Sequence, residues 1–103
     1  SARSHWESVR RFEADHPIAL FHLYMSFIEQ GQPPEQDAVE GLERALRLAP
    51  YDTRIRLATA RQQLNDQRFA AVVQTLAPWI FDPRLADDSA AREMLDTARR
   101  ALE

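Results

Sequence analysis

Apolar side chains recur along this chain every three or four residues, in blocks cut by proline, glycine and short polar clusters. That spacing predicts amphipathic helices, whose faces return about every 3.6 residues. The first block, 4–14, carries Trp6, Val9 and Phe12 on one face, and Ser4 with Glu7 forms a capping box. Asp15 and His16 end it, because a residue before proline avoids the helical region. The second block, 17–30, opens with Pro17 behind Asp15 or His16 as cap and presents Leu20, Leu23, Tyr24, Phe27 and Ile28. Gly31 supplies its stop, and Gln32, Pro33 and Pro34 make a turn, with Pro34 in the first turn of the next helix. The third block, 34–48, lines up Ala38, Val39, Leu42, Ala45, Leu46 and Leu48. Asp52 caps the fourth, 53–64, which carries Ile55, Leu57, Ala60 and Leu64. The fifth, 68–80, carries Phe69, Val72, Val73, Leu76, Trp79 and Ile80. Pro78 lies inside it and lacks an N–H, so it should kink the helix or end its bonding early. A loop over 81–87 leads to a last helix, 88–102, with Met94, Leu95, Ala98 and Leu102. About six helices joined by short turns predict an all-α, antiparallel arrangement.

Composition narrows the choices. The chain has 103 residues, which suits one domain, and 45% of them are hydrophobic, enough for a core. Two glycines are too few for the turns of a β-sandwich. The net charge of -3 argues against a nucleic-acid partner. With no cysteine, disulfides, thiolate catalysis and thiolate zinc sites are excluded. No apolar run approaches the ~20 residues of a membrane span, so no membrane insertion is expected. No secretory leader is visible. The chain opens on Ser1, Ala2 and Arg3 without an initiator Met and reads as a piece of a larger polypeptide. Both a cytoplasmic and a periplasmic location stay open.

The helical blocks also repeat. Phe21 and Leu57, Tyr24 and Ala60, Ile28 and Leu64, and Gly31 and Gln67 stand 36 residues apart. Ala38 and Val72, Val39 and Val73, Leu42 and Leu76, Ala45 and Trp79, and Leu46 and Ile80 stand 34 apart. An insertion of two residues in the turn at Gln32, Pro33 and Pro34 reconciles the two offsets, leaving a period of 34. Leu20, Leu23, Tyr24, Phe27, Gly31, Ala38, Leu42, Ala45 and Pro50 follow, in order, a pattern that resembles the tetratricopeptide repeat. Tyr24 stands where that family has a small residue. In the second unit Ala60, Leu64, Phe69 and Leu76 fit, while Arg56, Gln67, Val72 and Trp79 depart from the pattern. The stretch Leu76, Ala77, Pro78, Trp79 is similar to a variant seen in some bacterial repeats of this type. The resemblance implies helical hairpins stacked as a right-handed superhelix. Repeat 1 would be 17–52 and repeat 2 53–83, with 4–14 as a flanking helix and 88–102 as a closing helix. One hairpin cannot bury both sides of its apolar stripe, and stacking makes a continuous core.

Candidate chemistry is sparse. His5, His16 and His22 are the only histidines. His22 and Ser26 stand four residues apart, but no orienting acid or oxyanion donor accompanies them, so the pair reads as structural or as a binding contact. No metal-ligand spacing and no glycine-rich phosphate loop occurs, so neither metal nor cofactor is expected. Asp87 and Asp88 read as helix-capping acids, and Arg54, Arg56, Arg61 and Arg68 as a solvated basic face or a ligand contact. In the family that the chain resembles, the first helix of each hairpin lines a binding groove. That implies Ile18, Phe21, His22, Met25 and Glu29 in one unit, and Arg54, Leu57, Ala58, Arg61 and Asn65 in the next. The family's carboxylate-binding version uses Asn and Lys where this chain has His22 and Ala58. The expected role is a non-catalytic scaffold that binds a protein or peptide. The alternatives are a self-association or intramolecular docking domain, with Trp6, Trp79 and Phe81 as interface aromatics, and an accessory domain of a bacterial secreted hydrolase.

Overall fold

A computed structural model of the chain describes residues 16–86 and 89–103. Among them every regular element is helical: α1 Pro17–Glu29, α2 Gln36–Leu48, α3 Thr53–Asn65, α4 Phe69–Leu76, a 3-10 turn Ala77–Trp79, α5 Pro83–Ala86 and α6 Ser89–Ala101. The protein is all-α, as its periodicity predicts. The expected helix over 4–14, with Trp6, Val9 and Phe12, lies outside the described residues, as do Asp87 and Asp88. The chain divides into two compact units, Ser1–Pro50 and Tyr51–Glu103.

In the first unit α1 packs against α2. Pro17 enters the first turn of α1, and the His16 imidazole accepts from the Ala19 amide at 3.2 Å through Nδ1. That bond satisfies one of the donors a helix start leaves open. Leu20, Leu23, Tyr24 and Phe27 are buried from α1, and Ala38, Val39, Leu42 and Ala45 from α2. Gly41 sits where a Cβ would meet Leu20 Cδ2 at 3.3 Å, so the absent side chain lets the two helices approach closely. Helix α2 begins two residues later than the sequence suggests: Pro33 and Pro34 precede its cap, Glu35, instead of entering its first turn. Asp37 in its first turn and Arg47 in its last complement the helix dipole.

The second unit packs three longer helices together. Helix α4 packs on both α3 and α6, around Ala60, Val72, Leu76, Met94, Leu95 and Ala98. Asp52 caps α3, its Oδ1 accepting from the amides of Arg54 at 3.0 Å and Ile55 at 3.3 Å. Regular α bonding in α4 stops at Leu76, and Pro78 sits in the 3-10 turn that follows. The loop expected over 81–87 contains a short helix instead, α5. Pro83 opens it and Asp82 Oδ1 accepts from the Arg84 amide at 2.9 Å, a start signal that a proline-centred loop conceals. Three residues expected in apolar stripes are exposed: Ile28 at 44%, Leu48 at 43% and Leu102 at 54%. Ile28 and Leu48 lie in final turns, and Leu102 follows the end of α6, where a stripe outruns the helix that would cover it.

The turns that close the two hairpins share one backbone design. After α1, Gly31 adopts φ +68°, its amide bonds to Ile28 O at 3.0 Å, and the Gln32 amide bonds to Phe27 O at 3.0 Å. After α3, Gln67 adopts φ +59°, its amide bonds to Leu64 O at 3.0 Å, and the Arg68 amide bonds to Gln63 O at 2.9 Å. Both are Schellman closures with a left-handed residue, which glycine adopts freely and glutamine only at a cost. A Cβ on Gly31 would meet nothing within 4 Å, so Gly31→Ala tests the backbone cost alone. We expect Gly31→Ala to destabilise by about 1 kcal/mol and Gln67→Gly to stabilise by a similar ~1 kcal/mol, read from urea midpoints. Equal effects of the same sign would refute this account of the turns.

Candidate functional site

Every buried position of α1 is buried again in α3, which also buries Ile55 and Gln62. Leu20, Leu23, Tyr24 and Phe27 are buried, and so, 36 residues on, are Arg56, Thr59, Ala60 and Gln63. In the second helices Ala38, Gly41 and Leu42 are buried, and so, 34 residues on, are Val72, Thr75 and Leu76. The expected groove residues therefore fall on the faces opposite the buried stripes. On α1, Phe21 and Met25 are half-buried and His22 and Glu29 exposed; the rings of Phe21 and His22 lie 6.2 Å apart. Ile18 is half-buried beside them. On α3, Arg54, Arg61 and Asn65 are exposed, and Leu57 and Ala58 half-buried. Each set shares one side of its own helix. The Ser26 hydroxyl donates to Leu23 O at 2.6 Å, which commits it to the backbone.

The second hairpin fills its buried stripe with polar groups. Arg56, only 6% exposed, donates from Nη1 to the Thr75 carbonyl at 2.8 Å. Its guanidinium carbon lies 4.3 Å from the Trp79 ring centroid, a cation–π contact. Thr75 Oγ1 donates to Gln63 Oε1 at 2.7 Å, and Thr59 Oγ1 to Ile55 O at 2.7 Å. Burial pulls the Arg56 guanidinium below its ordinary pKa. Trp79 also meets Tyr51 edge to face at 5.3 Å, so this aromatic belongs to the unit's own packing. Hydropathy periodicity misses this network because it scores Arg, Thr and Gln as surface. The one sequence signal for it is Arg56 standing 36 residues after Leu20, in a slot for a large apolar side chain.

Two aspartate–arginine clips flank the network. Arg54 Nη2 lies 3.2 Å from Asp52 Oδ2, and Arg84 Nη2 lies 2.9 Å from Asp82 Oδ2. Arg84 also donates from Nη1 to the Tyr51 carbonyl at 2.9 Å, tying the two clips together. Burial pushes the Asp52 carboxyl up, but hydrogen bonds from the Arg54 side chain and the Ile55 amide bring it below the usual carboxylate range. The Arg84 side-chain hydrogen bond lowers Asp82 further, to about 2. Around them Phe81 is 89% exposed and Tyr51 66%.

Among the described residues no buried side-chain N or O atom lacks a hydrogen-bond partner, and no three His, Cys, Asp or Glu residues group to hold a metal. No described helix is long and apolar enough to cross a membrane. No protein-family model matches the chain, and neither does any curated protein or solved structure. The described residues thus define an all-α protein whose candidate surface is a pair of helix faces, one mostly apolar and one cationic.

Proposed function

We propose that the chain is a helical-repeat module of tetratricopeptide type that binds a protein or peptide and carries out no catalysis. The observation that supports this reading most is the shared register of α1 and α3. At equivalent positions both helices bury one stripe and keep the opposite face half-buried to exposed, and both end in the same left-handed closure. A first helix kept open at equivalent positions in successive hairpins is what repeat modules use to hold extended or helical ligands. The open faces carry large, adaptable contacts: Phe21 and Met25 on α1, Arg54 and Arg61 on α3.

Selection from a displayed library of random twelve-residue peptides tests the reading. Enriched peptides are expected to lose about tenfold or more in affinity for Met25→Glu where they bind the α1 face, or for Arg61→Glu where they bind the α3 face, because anchor contacts dominate binding energy. Circular dichroism should show both variants folded. Enriched peptides that bind both variants as tightly as the parent would refute the assignment.

A further inference from the structure

The sequence holds a single aspartyl–prolyl step, Asp82–Pro83. Such a step is chemically weak in acid. A side-chain carboxylate can attack its own carbonyl carbon and close a small cyclic anhydride, as carboxylate nucleophiles do in covalent catalysis. The proline nitrogen carries three carbon substituents and no hydrogen, so it takes up a proton and leaves more readily than an ordinary amide nitrogen. Two features here favour the reaction. The Leu85 amide donates to the Asp82 carbonyl oxygen at 2.9 Å, polarising the carbonyl that would be attacked. Pro83 and Arg84 are exposed, so water and solvent protons reach the bond. One feature opposes it. Asp82 Oδ1 accepts from the Arg84 amide at 2.9 Å and from Nε at 3.1 Å, and Oδ2 accepts from Nη2 at 2.9 Å, so both oxygens are held on Arg84. Arg84 is itself anchored, its Nη1 donating to the Tyr51 carbonyl at 2.9 Å.

We infer that Asp82–Pro83 is an acid-triggered self-cleavage site, and that Arg84 is the latch that keeps the Asp82 carboxylate off its own carbonyl carbon. In the cleavage step a carboxylate oxygen bonds to the Asp82 carbonyl carbon. The bond from that carbon to the Pro83 nitrogen breaks, its electron pair stays on the nitrogen, and a solvent proton completes the amine. Water then opens the anhydride, leaving Asp82 with a free α-carboxyl and its side-chain carboxyl restored. The net change is hydrolysis of one peptide bond by one water. It happens once per chain, without turnover, and stands apart from the binding reading. Arg84 is a positioning residue, acting through Asp82. Among the described residues Arg84 is the charge that acts on the Asp82 carboxyl, and Asp52, itself clipped by Arg54, acts on Arg84. The charged groups of α6, Arg92, Glu93, Asp96, Arg99 and Arg100, do not act on Asp82. Cleavage would cut the chain between α4 and α6 while Leu76, Met94, Leu95 and Ala98 still pack the two together. Asp52 and Arg54 repeat the clip ahead of Thr53, whose nitrogen is an ordinary amide, so Asp52–Thr53 is a built-in comparison.

The test incubates the full chain and its Arg84→Ala variant at about pH 4, where a free aspartate carboxyl is part ionised, both folded and in urea. Mass spectrometry follows the fragments 1–82 and 83–103. Folded Arg84→Ala is expected to release them at least about tenfold faster than the folded parent, since a nucleophile held out of line loses rate steeply. In urea, where no clip exists, the two chains should be cut at the same rate. Adding Asp82→Ala should stop the cleavage, and Asp52–Thr53 should stay whole throughout. Circular dichroism at the same pH shows which variants are folded. If Arg84→Ala is not, Arg84→Lys carries the comparison, since it keeps the charge but lacks the fork that holds both oxygens. Equal rates for the folded chains would overturn the latch, as would a difference that persists in urea. A chain that stays uncut at Asp82–Pro83 in urea would overturn the cleavage site itself.

Discussion

Replacing Arg56 by alanine should destabilise the second unit by about 2–4 kcal/mol, more than any other polar substitution among the described residues. Three losses combine. The Thr75 carbonyl loses the guanidinium donor 2.8 Å away, and a buried acceptor left without its partner costs about 1–3 kcal/mol. The contact with the Trp79 ring goes, at about 0.5–2 kcal/mol. The aliphatic stem also leaves a void in a helix interface. Against these stands the relief of no longer burying a cation, which explains why the sum falls short of its parts. Arg56→Met keeps the stem and removes the charge, so it should cost only about 1–2 kcal/mol. Arg56→Lys should rescue poorly, because an ammonium has no planar face to lay on Trp79. Urea unfolding followed by circular dichroism measures all three. A loss below about 0.5 kcal/mol for Arg56→Ala would show that the network does not hold the hairpin together.

Leu76→Ala is expected to cost about 3 kcal/mol and to loosen α6 before it loosens α3. Leu76 is fully buried and lies in the cluster that joins α4 to Met94, Leu95 and Ala98 of α6. The side chain sits where α4 must leave regular α geometry, one residue before the turn that Pro78 imposes, so the backbone has little freedom to close the cavity. Hydrogen exchange should therefore accelerate first at the α6 amides. Leu102→Ala, at a residue 54% exposed, should stay within about 0.5 kcal/mol of the parent. Uniform acceleration across α3, α4 and α6 would show that the layers open as one body.

The five long helices were legible in the sequence because each joins a start or stop signal to a stripe of helical period. Pro17 opens α1 and Gly31 closes it; Asp52 caps α3. What escaped had a physical reason in each case. Helix α5 is a single turn, too short for periodicity to register, and its Pro83 reads equally well as a loop. Ile28, Leu48 and Leu102 match the period but lie where coverage ends. The buried face of α3 was hidden because Arg56, Thr59, Gln62 and Gln63 are hydrophilic by type and buried by position. The candidate contacts on α1 and α3 were read from the first-helix positions of the family that the chain resembles, and each set sits on one side of its helix. The network beneath α3 needed coordinates: nothing in the sequence pairs Arg56 with a carbonyl 19 residues away.

The polar stripe of the second hairpin also acts as a key. Apolar side chains meet one another in many ways, so α1 and α2 lose only packing if one slides along the other by a turn. A slide of about 5.4 Å between α3 and α4 would strand a guanidinium beside no carbonyl and no indole, and Thr75 beside no glutamine. The second pairing is thereby locked to a single register, and the two hairpins are not interchangeable parts. A chimera joining α1 to α4 would set Thr75 opposite Phe27 without the glutamine that receives its proton, and one joining α3 to α2 would leave Arg56 facing a wall of leucine and alanine.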